Sequence, residues 1–344
     1  MGIVVEKPGI LTTIQDEGRF GYQEYGVTPS GPMDTYSFHI ANLLAGNHRN
    51  EPALEVTLIG PKLKFTESNV IAIAGADFSP TLNGQPFPML QAVVVQRGDI
   101  LELHSAKSGC RAYIAFAGGL DVPRIMGSCA TALQNQLGGM EGRKLKQGDQ
   151  IAFCAPCTYV PKVRPEKVLS MPALGHDYTV RVILGPQEEK FTQSGIQTFL
   201  TSPYTVTKDF DRMGCRLEGS SIEHKNDGNI ISDGMVTGAI QVPPAGQPII
   251  MMAERQTTGG YTKIGTVISV DLPIIGQCKA GDVLRFQAVS LQQAQQWYKD
   301  MICALDRMEE TIQSEKGQLS HKFRQHYHVI VDGKAYQVEL ELAN

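Results

Sequence analysis

The stretch "QRGDILEL" at residues 96–103 returns in two close variants, "KQGDQIAF" at 146–153 and "KAGDVLRF" at 279–286. In each copy a Gly-Asp pair stands directly before a short apolar run. Glycine adopts turn conformations that other residues avoid, and aspartate side chains bond to nearby backbone, so the pair predicts a tight turn that leads into a strand. The recurrence of this unit indicates repeated β-modules.

Short runs of Val, Ile, Leu and Phe fill much of the remaining sequence. Examples are "NVIAIAGADF" at 69–78, "CRAYIAFAGG" at 110–119 and "YTVRVILG" at 178–185. The 35 glycines and 19 prolines separate such runs. Apolar runs at this spacing are typical of an all-β sandwich or barrel with few helices.

A proline-rich segment without periodicity, at about 155–175, predicts a domain boundary, because proline removes a ladder donor and restricts its neighbour. We expect an N-terminal β-barrel domain at 1–160, a C-terminal β-barrel domain at 175–288, and a helix and hairpin extension at 290–344. At 344 residues the chain is long enough for two domains.

Three helices are predicted. Asp34 can cap a helix over "TYSFHIANLLAG", and Pro186, followed by acidic residues, suits the first turn of a second. The longest begins with a capping box at Ser290 and runs to Gly317, with an apolar stripe along one face. After it, "HYHVIVDGKAYQVELEL" reads as two strands joined by Asp332-Gly333, a β-hairpin.

Composition excludes several classes of protein. A net charge of -4 without a long basic run disfavours nucleic acid as a ligand. Seven scattered cysteines do not resemble a disulfide framework, and no apolar run is long enough to span a membrane, so we expect a soluble cytoplasmic protein. No P-loop, H-E-x-x-H or G-x-S-x-G motif occurs. The Cys154-x-x-Cys157 pair and the His326-x-His328 pair are read as ordinary residues, and no metal site is predicted.

Polar residues and glycines gather in three stretches: "TTIQDEGRFGYQEYGVTPSGPMD" at 12–34, "DRMGCRLEG" at 211–219, and "ISDGMVTGAIQVPPAGQPIIMMAERQTTGGY" at 231–261. Irregular polar segments on a rigid scaffold often bind ligands. In the last stretch we expect a ligand-facing loop, in which the glycine pair at 259–260 lets backbone N–H groups approach a ligand. Asp34 is an equally good candidate for a helix cap and for a catalytic group.

These stretches, with "NEPALEVTLIGP" at 50–61 and "AGGLDVPRIMGS" at 117–128, resemble the family that includes the C subunit of bacterial ATP-dependent 5-oxoprolinase. The family is also described as allophanate hydrolase subunit 2 and as biotin-dependent carboxyltransferase-like. The resemblance extends over residues 1 to about 287. It implies a mainly β fold of two tandem cyclophilin-like β-barrels, completed by a B-subunit relative (allophanate hydrolase subunit 1 type) and an A-subunit relative (lactam-utilisation type).

The implied reaction is the opening of 5-oxoproline to L-glutamate, with ATP and Mg²⁺ activating the lactam carbonyl. Such chemistry needs donors at a developing oxyanion and cations near a phosphoryl group. The catalytic candidates are Asp34, Asp233 and Gln256. The substrate-binding candidates are Arg19, Ser30, Arg212, Arg255, Thr257, Thr258, Gly259, Gly260 and Tyr261.

The chain also departs from its relatives. It has "GSCATA" at 127–132 where they commonly have a hydroxyl-rich motif, so Ala130 supplies no hydroxyl, and it has Glu254 where many have Asp. The C-terminal hairpin resembles the opening hairpin of a biotinyl carrier, yet no Met-Lys-Met follows, so we expect no covalent biotin on this chain.

Two other functions stay open at this point. One is carboxyl transfer from carboxybiotin on a separate carrier to a urea-like or other small acceptor. The other is a non-enzymatic role, as an antagonist of a kinase-inhibitor protein.

Overall fold

The computed structural model describes residues 2–161, 174–322, 324–331 and 334–341, with side chains through residue 315. Strands dominate this part of the chain, and its α-helices are α1 (Thr35–Leu44), α2 (Gln193–Thr201), α3 (Leu272–Gln277) and α4 (Leu291–Lys322). The mainly β fold predicted from the sequence is confirmed. No helix in these residues combines the length and apolarity needed to cross a membrane.

The N-terminal β-unit consists of two sheets that enclose one core. Its strands are β1 (Gly2–Lys7), β2 (Leu11–Gln15), β3 (Ala53–Thr57), β4 (Lys62–Phe65), β5 (Asn69–Asp77), β6 (Thr81–Leu82), β7 (Gln85–Pro86), β8 (Ala92–Val95), β9 (Ile100–Glu102), β10 (Ser108–Phe116), β11 (Leu120–Asp121) and β12 (Gln150–Phe153). One sheet has the order β11-β12-β1-β4-β9-β6-β7, and the other β2-β3-β10-β5-β8. Ile3 and Leu63 of the first sheet pack against Val56, Ile73 and Ile114 of the second.

The second β-unit closes into a barrel. Its strands are β13 (Asp177–Leu184), β14 (Tyr204–Val206), β15 (Gly214–Gly219), β16 (Asn229–Gly234), β17 (Ala239–Val242), β18 (Ile249–Met251), β19 (Thr258–Val267) and β20 (Val283–Ala288). The order β13-β20-β14-β15-β18-β17-β19 returns to β13 through an additional β13–β19 pairing. Strand β16 lies outside this ring and pairs with the first part of β19. The barrel interior is a second apolar core that includes Val180, Tyr204, Ile240, Ile250 and Phe286.

The three Gly-Asp repeats form the turns that the sequence predicts. In each repeat the aspartate side chain accepts a hydrogen bond from the backbone N–H three residues earlier. The distances are 2.7 Å for Gln96 N to Asp99, 2.7 Å for Lys146 N to Asp149, and 2.9 Å for Lys279 N to Asp282. The preceding glycines have φ between 89° and 99°, a region that disfavours residues with a Cβ. The repeats then lead into β9, β12 and β20.

Two of the predicted helices are confirmed and one is misplaced. Asp34 caps α1, and Ser290 caps α4 through its reciprocal bonds with Gln293. The helix predicted from Pro186 is wrong, since that segment forms only a short 3-10 turn at Glu188–Lys190. The α-helix begins later, at Gln193, where the Thr192 hydroxyl accepts from Gly195 N at 2.9 Å and supplies the cap.

Helix α4 contacts both β-units and extends beyond its predicted end at Gly317. The Arg181 guanidinium of the second barrel lies 4.2 Å from the ring centre of Trp297 in the first turns of α4. Farther along, Leu305, Met308 and Ile312 are buried against a cluster built on α1 and on the N-terminal sheets. The long helix therefore packs against both β-units and holds the second barrel against the first unit.

Strands β21 (Arg324–Val331) and β22 (Lys334–Glu341) pair antiparallel, so the predicted C-terminal hairpin is confirmed. Its turn residues, the side chains of His326 and His328, and most of the predicted domain boundary lie outside the described residues. All seven cysteines are free thiols, including Cys154 and Cys157.

Candidate functional site

A buried arginine joins the two β-units. Arg212, just before β15, pairs through Nη1 with Glu55 of β3, and through Nε with Glu254 at 2.6 Å. Its Nη2 donates to Gly31 O at 2.6 Å and to Ser30 Oγ at 3.2 Å. We call Arg212, Glu55, Glu254 and Ser30 the Arg212 network. It connects the sequence stretches at 12–34, 50–61, 211–219 and 231–261.

The Arg212 network is almost free of solvent. The side chains of Arg212, Glu55 and Glu254 are 4%, 1% and 1% exposed. Burial by itself lowers the pKa of Arg212, but the two carboxylates outweigh burial and raise the pKa above its usual value. Glu55 is held further by Met33 N at 2.8 Å and by Tyr113 Oη at 2.7 Å. The buried ion pairs of the Arg212 network therefore fix one β-unit against the other.

Asp34 is occupied by the protein itself. One carboxylate oxygen accepts from Ser37 N at 2.9 Å, and the other accepts from Ser37 Oγ at 2.6 Å and from Gln277 Nε2 at 2.7 Å. Burial raises the pKa of Asp34, and these hydrogen bonds oppose that effect. The geometry gives Asp34 a capping and bridging role and leaves it no contact with the cleft described next.

An open cleft of about 550 Å³ lies on the outer face of the second barrel. Side chains alternate along a strand, and Ile240, Val242 and Ile250 point into the barrel core. Their neighbours Gln241 and Ile249 therefore face outwards, into the cleft. The lining residues are Asp209, Asp211, Met213, Gly214, Arg216, Gln241, Pro243, Ile249, Met251, Gln256 and Tyr261.

Two primary amides meet in this cleft. Gln241 is 1% exposed and donates to Tyr261 O at 3.4 Å, while its Oε1 accepts from Gln256 Nε2 at 3.3 Å. A Cβ at Gly259 would lie 2.5 Å from Gln241 Nε2, so a larger residue at this position would have to displace the Gln241 side chain. Beside the amides lie the exposed Arg216 and the apolar side chains of Ile249 and Met251. The cleft thus offers amide donors and acceptors, a cation and an apolar floor.

The glycine pair of the expected ligand-facing loop lies in a strand, β19, which begins at Thr258, and this corrects the sequence prediction. Thr258 and Gly259 pair with Gly234 and Asp233 of β16, and Thr257 O accepts from Met235 N at 3.0 Å. These backbone groups are committed to the β16–β19 ladder. The absence of a side chain at Gly259 leaves room for the side chains of Gln241 and Met235, and Gly260 continues the same strand.

Asp233 lies in β16 and is not among the lining residues of the cleft. Its carboxylate is half exposed and pairs with the buried Lys263 ammonium at 2.6 Å, and this contact lowers the pKa of Asp233. Gln187 adds a longer contact of 3.3 Å. The arrangement anchors the β16 ribbon and keeps the carboxylate charged.

Arg19 and Arg255 are buried without a carboxylate within 4 Å among the described residues. Arg255 Nε donates to Met235 O at 3.1 Å, and burial lowers the pKa of Arg255 to about 10. Arg19 Nη2 donates to Ala130 O. Burial lowers the pKa of Arg19 too, and the charges of nearby carboxylates oppose it.

Sequence reasoning missed two contributors to these sites, Glu55 and Gln241, although a signal existed for both. Glu55 interrupts "ALEVT" and Gln241 interrupts "AIQV", and a polar residue inside a buried apolar strand needs a partner.

The chain matches the family model described as carboxyltransferase domain, subdomain A and B, over residues 25–288. It is 35% identical over 293 residues to the C subunit of 5-oxoprolinase from Escherichia coli, covering 84% of this chain and 91% of that protein. It is 34% identical to urea amidolyase of Lachancea kluyveri, covering 89% of this chain but 18% of that longer protein.

The crystal structure of urea carboxylase from Kluyveromyces lactis superimposes with a TM-score of 0.84 at 33% identity, over 90% of this chain and 29% of that one. The family match, the identities and the shared fold agree. The chain belongs to the carboxyltransferase domain family of subdomains A and B.

Proposed function

We propose that this chain is one subunit of an ATP-dependent 5-oxoprolinase, in which it binds the lactam that is opened to L-glutamate. The supporting observation is the similarity to the Escherichia coli C subunit over most of the length of both proteins. The yeast relatives, by contrast, contain the matching region as a small part of a much longer chain.

The cleft on the second barrel suits a lactam. A cyclic amide presents its C=O and N–H on one edge, and the side-chain amide of Gln256, steadied by Gln241, offers the complementary donor and acceptor. Arg216 is placed to pair with the ring carboxylate, and Ile249 and Met251 supply apolar contacts for the ring methylenes. Amide donors at the lactam oxygen would also favour the charge that develops there when the ring opens.

ATP fits this cleft poorly. Its lining includes the carboxylates of Asp209 and Asp211 against one arginine, Arg216, a balance that disfavours a triphosphate. The sequence also lacks a P-loop. We therefore assign ATP and its Mg²⁺ to a partner chain, of the B-subunit or A-subunit type, and expect the complete enzyme to be a cytoplasmic heteromer.

Carboxyl transfer is the second candidate function, supported by the structural similarity to urea carboxylase. A urea or a cyclic ureido group presents the same amide edge as a lactam, so Gln256 suits both. The two reactions differ in their co-substrates, since one consumes ATP and the other carboxybiotin on a separate carrier.

Reconstitution with partner chains tests the proposal. The chain is mixed with its B-subunit and A-subunit relatives, ATP and 5-oxoproline, and glutamate and ADP are measured. We expect both products in equal amounts, and neither when this chain is left out. Transfer of a carboxyl group from carboxybiotin to urea, without glutamate formation, would favour the second function.

A further inference from the structure

Strand β16 presents an open sheet edge beside the second barrel. It lies outside the ring of strands and pairs with the first part of β19, while its opposite edge has no strand partner in the described parts of the chain. Five of its six residues are exposed. A two-stranded ribbon is only marginally stable in water. The N–H and C=O groups along a free edge can pair with a further strand, so β16 is a candidate site for strand addition.

The sheet edges of the N-terminal β-unit are protected in ways that β16 is not. Strands β7 and β11 have two residues each, and β7 contains Pro86. Strand β2 is covered by Thr131 and Leu145, whose N–H groups donate to Ile14 O and Thr12 O at 2.9 Å. Strand β8 contains no exposed residue. Short length, proline and coverage are common protections against pairing between the edges of two molecules.

Ile231 lies in the middle of this open edge. Its side chain is 94% exposed, more than any other large hydrophobic side chain among the described residues. The pairing of β16 with β19 shifts register between Asn229 and Asp233, and Ile231 has no paired residue in β19. Single exposed apolar side chains are normal on a protein surface. An isoleucine this exposed on a free strand edge indicates a contact that one chain alone does not make.

Two copies of β16 are complementary to each other. In an antiparallel pairing centred on Ile231, the two isoleucines lie opposite each other, and Asn229 lies opposite Asp233 of the second copy. Apolar pairs stabilise neighbouring strands, whereas like charges opposite each other destabilise them, and this register contains no like-charged pair within β16. The Lys263 ammonium lies 2.6 Å from Asp233 within each chain and compensates the carboxylate charge. Two such edges can therefore approach without strong repulsion.

The registers centred on the two neighbouring residues fit less well. A centre at Ile230 would place Asp227 opposite Asp233 of the second copy, a pair of like charges. A centre at Ser232 would place the apolar Ile231 opposite that same carboxylate. The charges and the exposed isoleucine therefore favour the register centred on Ile231.

We propose that β16 is a dimerisation edge of this chain, and that it pairs antiparallel with β16 of a second copy, centred on Ile231. The pairing joins two ribbons into a four-stranded sheet with the order β19-β16-β16-β19, which removes both free edges. It also buries the two isoleucine side chains against each other. A two-fold axis relates the copies, so the assembly closes as a dimer and does not continue into a fibre.

Sedimentation equilibrium of the full chain, at concentrations from about 1 to about 200 µM, measures the association. We expect a monomer–dimer equilibrium in the wild type. Ile231→Lys should weaken it by about tenfold or more, because the apolar contact is lost and two like charges meet at the centre. Ile10→Lys is the matched control, since Ile10 is also exposed but lies between β1 and β2, and its substitution should leave the association unchanged.

Cysteine substitution tests the register. In the proposed pairing the Cα atom of residue 231 lies about 5 Å from its counterpart in the second copy, within reach of a disulfide. Ile231→Cys should therefore give a covalent dimer when diamide takes up the two electrons and two protons that the thiols lose. Asn229→Cys is the control, because its counterpart lies four residues farther along the strand, about 13 Å away, and should not cross-link.

A wild-type chain that sediments as a monomer over the whole range would overturn the proposal. An Ile231→Lys variant that dimerises as well as the wild type would also overturn it, as would cross-linking of Asn229→Cys in place of Ile231→Cys. If β16 pairs with the B-subunit relative instead, the wild type alone stays monomeric and Ile231→Lys loses that partner, which rejects the dimer. None of these outcomes depends on glutamate formation, so the dimer and the proposed function can fail separately.

Discussion

Removing the Arg212 guanidinium should strongly destabilise the folded protein. Arg212→Met keeps much of the side-chain volume but leaves Glu55 and Glu254 buried at 1% exposure without their cation. It also removes the donors to Ser30 and Gly31. The substitution thus tests whether the Arg212 network holds the two β-units together.

The expected loss follows from the desolvation of the carboxylates. Removing one partner of a buried ion pair costs about 3–5 kcal/mol, because a charge is left in a medium that solvates it poorly. For a cooperative unit of this size a loss of that magnitude lowers the unfolding midpoint on the order of 10 °C. Glu55 keeps its bonds from Met33 and Tyr113, so most of the cost should come from Glu254.

The pH dependence of this loss supplies the assay. In the variant, uncompensated burial raises the folded-state pKa of the carboxylates above the unfolded value. Such a group contributes stability below the unfolded pKa and loses it as pH rises through the folded pKa. Thermal unfolding of wild type and variant at pH 5.5 and pH 8 should therefore show a smaller difference at the lower pH.

A double variant controls for packing. In the double variant, Glu254→Gln removes the uncompensated charge of one carboxylate that Arg212→Met leaves buried. Its unfolding midpoint should therefore be higher than that of Arg212→Met alone. A loss below about 1 kcal/mol, the range of a surface pair, would refute the reasoning. So would an equal loss at both pH values.

Three further predictions concern single residues. Arg255→Met removes a buried cation that has no carboxylate partner within 4 Å among the described residues, so the free energy of unfolding at pH 7 should stay the same or rise. Because burial lowers the pKa of Arg255 to about 10, the cost of burying this cation in the wild type should shrink above that pH. A large loss of stability in the variant, measured by calorimetry at pH 7, would contradict this. Asp34→Asn keeps a capping acceptor, so we expect a loss of about 1 kcal/mol and turnover within about threefold of wild type, whereas a hundredfold loss in a folded variant would make Asp34 catalytic. Leu305→Ala opens a cavity in the fully buried contact of α4 with α1 and should lower the free energy of unfolding in denaturant by about 2–5 kcal/mol. A loss below about 1 kcal/mol would mean that α4 does not hold the two β-units together.

Local features of this fold were predictable because few residues decide them. The Gly-Asp turns, the Asp34 cap and the Ser290 capping box each depend on contacts within three or four positions, and the structure has all of them. The helix predicted from Pro186 was wrong because a local signal alone was used to place its first turn. A suitable first turn was present, but the cap at Thr192 set the actual start.

The candidate site was only half predictable. Arg212 and Ser30 stood out as polar residues in polar stretches, yet Glu55 is 157 positions away from Arg212, and only the folded chain brings them together. The "TTGG" stretch was predicted wrongly because it becomes a strand by pairing with residues 229–234, and no nearby residue in the sequence indicates that pairing. Gln241 was missed for a related reason, since its partner Gln256 is 15 positions away along the chain.

The most direct test of the central claim compares two glutamine variants in the reconstituted enzyme. Gln256→Ala removes an amide from the cleft, while Gln296→Ala removes an exposed amide from α4. If the cleft binds the lactam, kcat/KM for glutamate formation from 5-oxoproline should fall about tenfold or more in Gln256→Ala, the cost of a lost hydrogen bond, and stay unchanged in Gln296→Ala. Equal kcat/KM values for both variants and wild type would contradict the account.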